Sequence, residues 1–75
     1  MDLYVQAKSK KEINEKLSKG NKVYGENYSM FGGGGSYCLN ELNEKATIKV
    51  FSKYVNGSPY AKAYGTFDPK KNKVL

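Results

Sequence analysis

The segment ATIKVFSKYVNGSPYAKAYGTF, Ala46 to Phe67, decides how this chain folds. Asn56-Gly57 separates two stretches rich in β-branched and aromatic residues, and Asn-Gly is the strongest short-range signal for a two-residue hairpin turn. That turn pairs Val55 with Ser58, Lys53 with Tyr60, Phe51 with Lys62 and Lys49 with Tyr64. Side chains alternate across a strand, so these pairs share one face. The predicted face therefore carries Lys49, Phe51, Lys53, Tyr60, Lys62 and Tyr64, with a lysine opposite a ring in each central pair. The other face, with Ile48, Val50, Ala61, Ala63, Gly65 and Phe67, is predicted to be the core side. Its small residues leave room for a helix to sit close.

Working outward, the residues before this hairpin supply that helix. DLYVQA, Asp2 to Ala7, alternates with Leu3, Val5 and Ala7 on one face and predicts a short strand. In SKKEINEKLSKG, Ser9 and Glu12 have capping-box spacing, Ile13 and Leu17 form a narrow apolar stripe, and Gly20 sits where a left-handed C-cap belongs. A helix is predicted over about residues 10–19, with Ile13 and Leu17 lying on the core side of the hairpin. KVYGENYSMF, Lys22 to Phe31, predicts a strand with a bulge or bend at Gly25. SYCLNEL follows it after a run of four glycines, so these two strands are predicted to form a hairpin. The predicted order is β-α-β-β-β-β: an α+β domain over residues 1–68, an antiparallel sheet with one helix packed on one face. Residues 69–75 then leave the sheet through an Asp-Pro turn as a basic C-terminal tail carrying Lys70, Lys71 and Lys73.

The composition limits the chemistry. Seventy-five residues bury a small core, and domains of this size usually need a disulfide, a metal or a partner subunit. Cys38 is the only cysteine and there is no histidine, so neither an internal disulfide nor a zinc site can be built. A homodimer is the expected remaining source of buried area. All thirteen cations are lysine, and the formal charge is +6. Lysine attracts phosphate as a point charge and lacks the planar fork that reads a guanine edge, so any nucleic acid is expected to be held by its backbone. No stretch approaches the ~20 apolar residues of a membrane span, and the first residues do not read as a secretory signal. With one free thiol, a reducing intracellular compartment is expected.

The glycine run Gly32, Gly33, Gly34 and Gly35 does not match a phosphate cradle. A P-loop needs Lys-Ser/Thr after its last glycine, and Tyr37-Cys38 stand near that place; the dinucleotide pattern puts Tyr37 where its third glycine belongs. A flexible hairpin tip is the expected role. Catalysis has no support in the sequence. There is no imidazole base, Cys38 in a strand reads as a small buried hydrophobe, and the carboxylates are scattered. No enzyme activity, cofactor or metal is expected.

The lysine-aromatic face has three readings. Rings can stack on unpaired bases while lysines track phosphates. They can form the centre of a subunit interface with lysines at its rim. Or lysine stems can simply cover rings on a solvated sheet. The expected function is a small non-enzymatic interaction protein, homodimeric, that uses this face on a partner subunit or an acidic macromolecule. The alternative is a nucleic-acid binder without sequence preference, using the same face and the tail.

The Lys/Asn/Tyr-rich composition, the glycine-rich hairpin and the tail PKKNKV, Pro69 to Val74, together resemble the small basic proteins packaged in virions of nucleocytoplasmic large DNA viruses, such as marseilleviruses. The resemblance implies a packaged accessory protein or early factor, found in the virion and in the host cytoplasm or nucleus. PKKNKV also resembles a short nuclear localisation signal. The absence of arginine departs from strongly basic DNA-condensing proteins.

Overall fold

In a computed structural model, residues 1–27, 35–43, 47–53 and 61–75 are described. They form one helix and a six-stranded mixed sheet: β1 (Asp2–Val5), α1 (Lys10–Ser18), β2 (Tyr24–Glu26), β3 (Ser36–Cys38), β4 (Ile48–Ser52), β5 (Ala63–Asp68) and β6 (Lys73–Val74), with a 3₁₀ turn at Leu39–Glu41. The architecture is α+β with the helix on one face, as the sequence predicts. The strand order is β3-β2-β1-β4-β5-β6, and every pair is antiparallel except β1 with β4. That parallel pair departs from the all-antiparallel expectation. It arises because the chain passes through α1 and the β2–β3 hairpin before β4 returns beside β1.

Local chemistry sets the helix boundaries. Ser9 is extended, and its hydroxyl accepts the Glu12 amide at 3.2 Å. Glu12 reaches back one residue further than a capping box requires, accepting the amide of Lys8 at 2.8 Å. At the other end Gly20 takes φ +77°. Its amide donates to Leu17 and that of Asn21 to Lys16, which is the Schellman arrangement. Ile13 and Leu17 are buried and meet Leu3, Val5, Ile48, Val50, Phe67 and Val74 from the sheet. Full burial of each such side chain stabilises by about 1.5–3 kcal/mol, so this layer holds the domain together.

Two asparagines extend the backbone hydrogen bonding. The Asn14 amide donates to the Val74 carbonyl at 3.0 Å and accepts the Val74 N–H at 2.7 Å. A helix side chain thereby pairs with the edge of β6, where backbone groups would otherwise lack partners. Asn40 does the same between segments, accepting the Val23 amide at 3.0 Å and donating to the Asn21 carbonyl at 3.1 Å.

Three expectations are corrected. Residues 69–75 are not a free tail: Asp68 Oδ1 accepts the Lys70 amide at 2.9 Å, Asn72 turns the chain at φ 52°, and β6 pairs with β5. Val74 is in the core, and that burial is what recovers the segment for the sheet. Gly25 is not a bulge but a regular ladder residue opposite Val5 and Tyr37. A Cβ there would lie 2.9 Å from Leu3 Cβ, so glycine allows close packing between strands.

The third correction concerns the β4–β5 register. Lys49 lies opposite Thr66 and Phe51 opposite Ala63, with a bulge between Val50 and Phe51. The slip from the predicted register is two residues at Lys49, which preserves the faces, and one residue at Phe51, which inverts them. Tyr64 is the extra residue. It packs against the core side, and its hydroxyl donates to the Ala7 carbonyl. Ala63, predicted to be on the core side, is exposed beside Phe51.

Candidate functional site

The face of the sheet away from α1 is built around one cross-strand row. Registers align Ser36 of β3, Glu26 of β2, Tyr4 of β1, Phe51 of β4 and Ala63 of β5. Leu3 and Val5 point to the core, so Tyr4 between them must point the other way. The rings of Tyr4 and Phe51 lie 5.5 Å apart at 30° to each other. Both are partly exposed, and no residue of this row is buried.

Around the ring pair the charges alternate. Lys49 is flanked by Asp2 on β1 and Thr66 on β5. Lys53 lies 3.6 Å from Glu26. The two lysines and two carboxylates cancel, so this face supplies flat apolar surface with local charges of both signs.

Of the residues predicted to form the lysine-aromatic face, Lys49, Phe51 and Lys53 are together. Tyr64 is turned to the core side by the bulge. Lys62 precedes β5 and is not part of the Tyr4–Phe51 row. It is exposed, its amide held by Ser52 Oγ at 2.7 Å. Tyr60, the Asn56-Gly57 turn and Gly32, Gly33 and Gly34 lie outside the described residues. Gly35 accepts the Asn27 amide at 3.0 Å and closes the β2–β3 hairpin. Lys70, Lys71 and Lys73 are exposed at the β5–β6 turn. Tyr4 was the functional candidate that sequence reasoning missed. Its position opposite Leu3 and Val5 was readable, but the strand beside it was not.

A groove of about 270 Å³ adjoins this face where β1 and β4 end. Tyr4, Tyr24 and Glu26 line it together with Lys16 of α1, Lys22 and Lys53, while Val5 and Val23 supply its apolar wall. Tyr24 is 57% exposed at its rim. Lys16 pairs with Glu12 at 3.3 Å and Lys22 with Glu41 at 3.6 Å. The Glu12 carboxyl is held below its ordinary value, first by the Lys8 amide and then by the Lys16 ammonium. Burial pushes the Tyr64 hydroxyl up, with the nearby Glu12 charge adding to it.

Cys38 is buried, with its sulfur 3.8 Å from Asn40 Oδ1. Among the described residues no helix is long and apolar enough to cross a membrane. No family model, curated protein or solved structure matches this chain.

Proposed function

We propose that the chain is a small non-enzymatic interaction protein that engages an acidic macromolecule across its open sheet face, and that this macromolecule is a single-stranded nucleic acid. The observation that carries the reading is the Tyr4–Phe51 ring pair on two central strands, flanked by Lys49 and Lys53. Unpaired bases stack on such rings whatever their identity, whereas paired bases hide their faces inside the duplex. The formal charge of +6 draws the polymer in, and lysine contacts its backbone without reading sequence. A subunit interface through the same face would use the same partly exposed rings, and oligomeric state separates the two readings.

Anisotropy of a labelled 20-mer, single-stranded and duplex, tests this. The single strand should bind more tightly. With Lys49 and Lys53 as two phosphate contacts, affinity should fall about seven-fold between roughly 50 and 200 mM salt. Phe51→Ala should weaken binding about five-fold or more, the loss of one stacking platform. No binding at either salt, or a Phe51→Ala protein that binds like the parent, refutes the reading. A concentration-dependent dimer in sedimentation velocity, lost in Phe51→Ala, would make the face a subunit contact instead.

A further inference from the structure

The groove beside the ring pair has its own chemistry. It lies at the carboxyl ends of β1 and β4, the parallel pair from which the chain departs in opposite directions, towards α1 and β2 from one strand and towards β5 from the other. In open α/β sheets such a divergence leaves a crevice where ligands bind, and in this mixed sheet it places the groove at the ends of the parallel pair. Three lysines reach it from three separate segments, Lys16 from the helix, Lys22 from the α1–β2 connection and Lys53 from the end of β4. One carboxylate, Glu26, lines it with them. The lining is therefore cationic, in contrast to the balanced face beside it.

None of these lysines is firmly committed. Their carboxylate partners stand at 3.3 to 3.6 Å, beyond the ~2.7–2.9 Å of a direct charge-assisted hydrogen bond. All three lysine side chains are 41% exposed or more, and ion pairs of that kind contribute little. Glu12 and Glu41 stand outside the lining, so Lys16 and Lys22 can turn from them to an anion in the groove. A phosphomonoester suits a groove lined by three lysines that can turn to it, because it presents three strong acceptor oxygens and a charge of about −1.5 to −2. Tyr4 and Tyr24 offer flat surfaces to whatever bears the phosphate, and Val5 and Val23 exclude water from one side. At about 270 Å³ the space lies just below the ~300–1,000 Å³ of drug-sized pockets, which admits one nucleotide-sized group.

We propose that this groove binds the phosphomonoester of a single phosphorylated nucleoside, with Lys16, Lys22 and Lys53 on the phosphate and Tyr4 or Tyr24 against the base. The nucleoside has two sources, a free mononucleotide or the phosphorylated end of a strand. The strand-end source rests on the nucleic-acid reading above; the mononucleotide source does not.

Two comparisons with the full chain test it. The first titrates ¹⁵N-labelled protein with adenosine 5′-monophosphate and with adenosine, following amides of the groove. The second measures affinity for a single-stranded 10-mer bearing a hydroxyl or a phosphate at either end. The phosphorylated form of at least one pair should bind about ten-fold more tightly, the discrimination expected for a charge-assisted contact. Lys16→Gln with Lys22→Gln should abolish that preference, while the fall in formal charge from +6 to +4 weakens the phosphate- and hydroxyl-ended 10-mers by a common factor. Equal behaviour of nucleotide and nucleoside, together with equal affinity for both ends, overturns the proposal and leaves the face untouched. Binding of the mononucleotide without binding of any 10-mer supports the groove and removes the nucleic-acid reading. A preference for phosphate that survives the double substitution overturns the assignment of these lysines.

Discussion

Gly65→Ala should be among the most damaging single-methyl additions to this domain. Gly65 holds φ at +145°, a backbone conformation that residues with a Cβ rarely adopt. A Cβ built there would lie 2.1 Å from the Leu75 main-chain oxygen, so Leu75 must move to admit it. The φ strain costs about 1–3 kcal/mol. Moving Leu75 away also breaks the 2.8 Å bond from its amide to the Thr66 carbonyl, worth about 0.5–1.5 kcal/mol. Together these give a loss of about 2–4 kcal/mol, against a total stability for such a chain of about 4–11 kcal/mol. At about 4–8 °C per kcal/mol, thermal unfolding followed by circular dichroism should show Tm lowered by about 8–32 °C. The decisive control is the chain shortened by Leu75. There the obstructing oxygen is gone, so Gly65→Ala should cost the φ strain and the 3.2 Å contact with Val74 Cγ1, and the two changes should be sub-additive. A loss below about 1 kcal/mol would refute the strain argument, since φ alone should exceed it. An equal cost in the full and shortened chains would refute the role of the Leu75 oxygen.

Asn14→Ala leaves the Val74 N–H and C=O without their side-chain partner, and urea unfolding should register a loss of about 1–3 kcal/mol. A loss near zero would mean that water replaces the bracket at no cost. Glu12 and Tyr64 should each contribute to the pH dependence of stability, on opposite sides of neutrality. The folded-state pKa of Glu12 is depressed below 4.5, so its contribution is present above that value and fades as pH falls through the lower one. Glu12→Gln should therefore flatten the acid limb of a Tm–pH profile. Tyr64 is raised above 10.0, so its contribution is complete below that pH and is lost as pH climbs through the folded value. Tyr64→Phe should remove that alkaline limb while lowering stability at neutral pH, because the bond to the Ala7 carbonyl is lost.

What the sequence made legible is what short-range chemistry controls. Ser9, Gly20 and the Ile13/Leu17 stripe mark α1, and observed and predicted helices differ by one residue at the C-terminus. Leu3 and Val5 mark β1 in the same way. What stayed hidden is set by contacts distant in sequence. In DPKKNKVL, Val74 is one apolar residue beside three lysines, and two residues carry no period. Its strand exists because the adjacent β5 holds it on one side and Asn14, sixty residues away, holds it on the other. Asn14 and Asn40 read as solvated polar positions and are instead backbone mimics. The β4–β5 bulge was equally unreadable, since Tyr64 fits either face until the Ala7 carbonyl is in place to accept its hydroxyl.

The candidate site is assembled by these hidden elements. The predicted hairpin pairs Tyr64 with Lys49 and Lys62 with Phe51, which puts Tyr64 on the same face as Phe51. The bulge withdraws Tyr64 to the core side, and the parallel β1–β4 pair supplies Tyr4, forty-seven residues away, in its place. The same pairing ends β1 and β4 side by side, which creates the groove. Lys53 is positioned at the junction, on the open face by strand alternation and in the groove lining by its tip, with Glu26 as its neighbour in both. One ammonium group cannot neutralise a backbone phosphate on the face and a terminal phosphate in the groove at once. If the proposed reading holds, a strand that ends in the groove would use Lys53 there and leave Lys49 as the cation beside the rings, whereas a strand that passes across the face would use both. That difference would separate the two proposed modes by their salt dependence, without any change in fold.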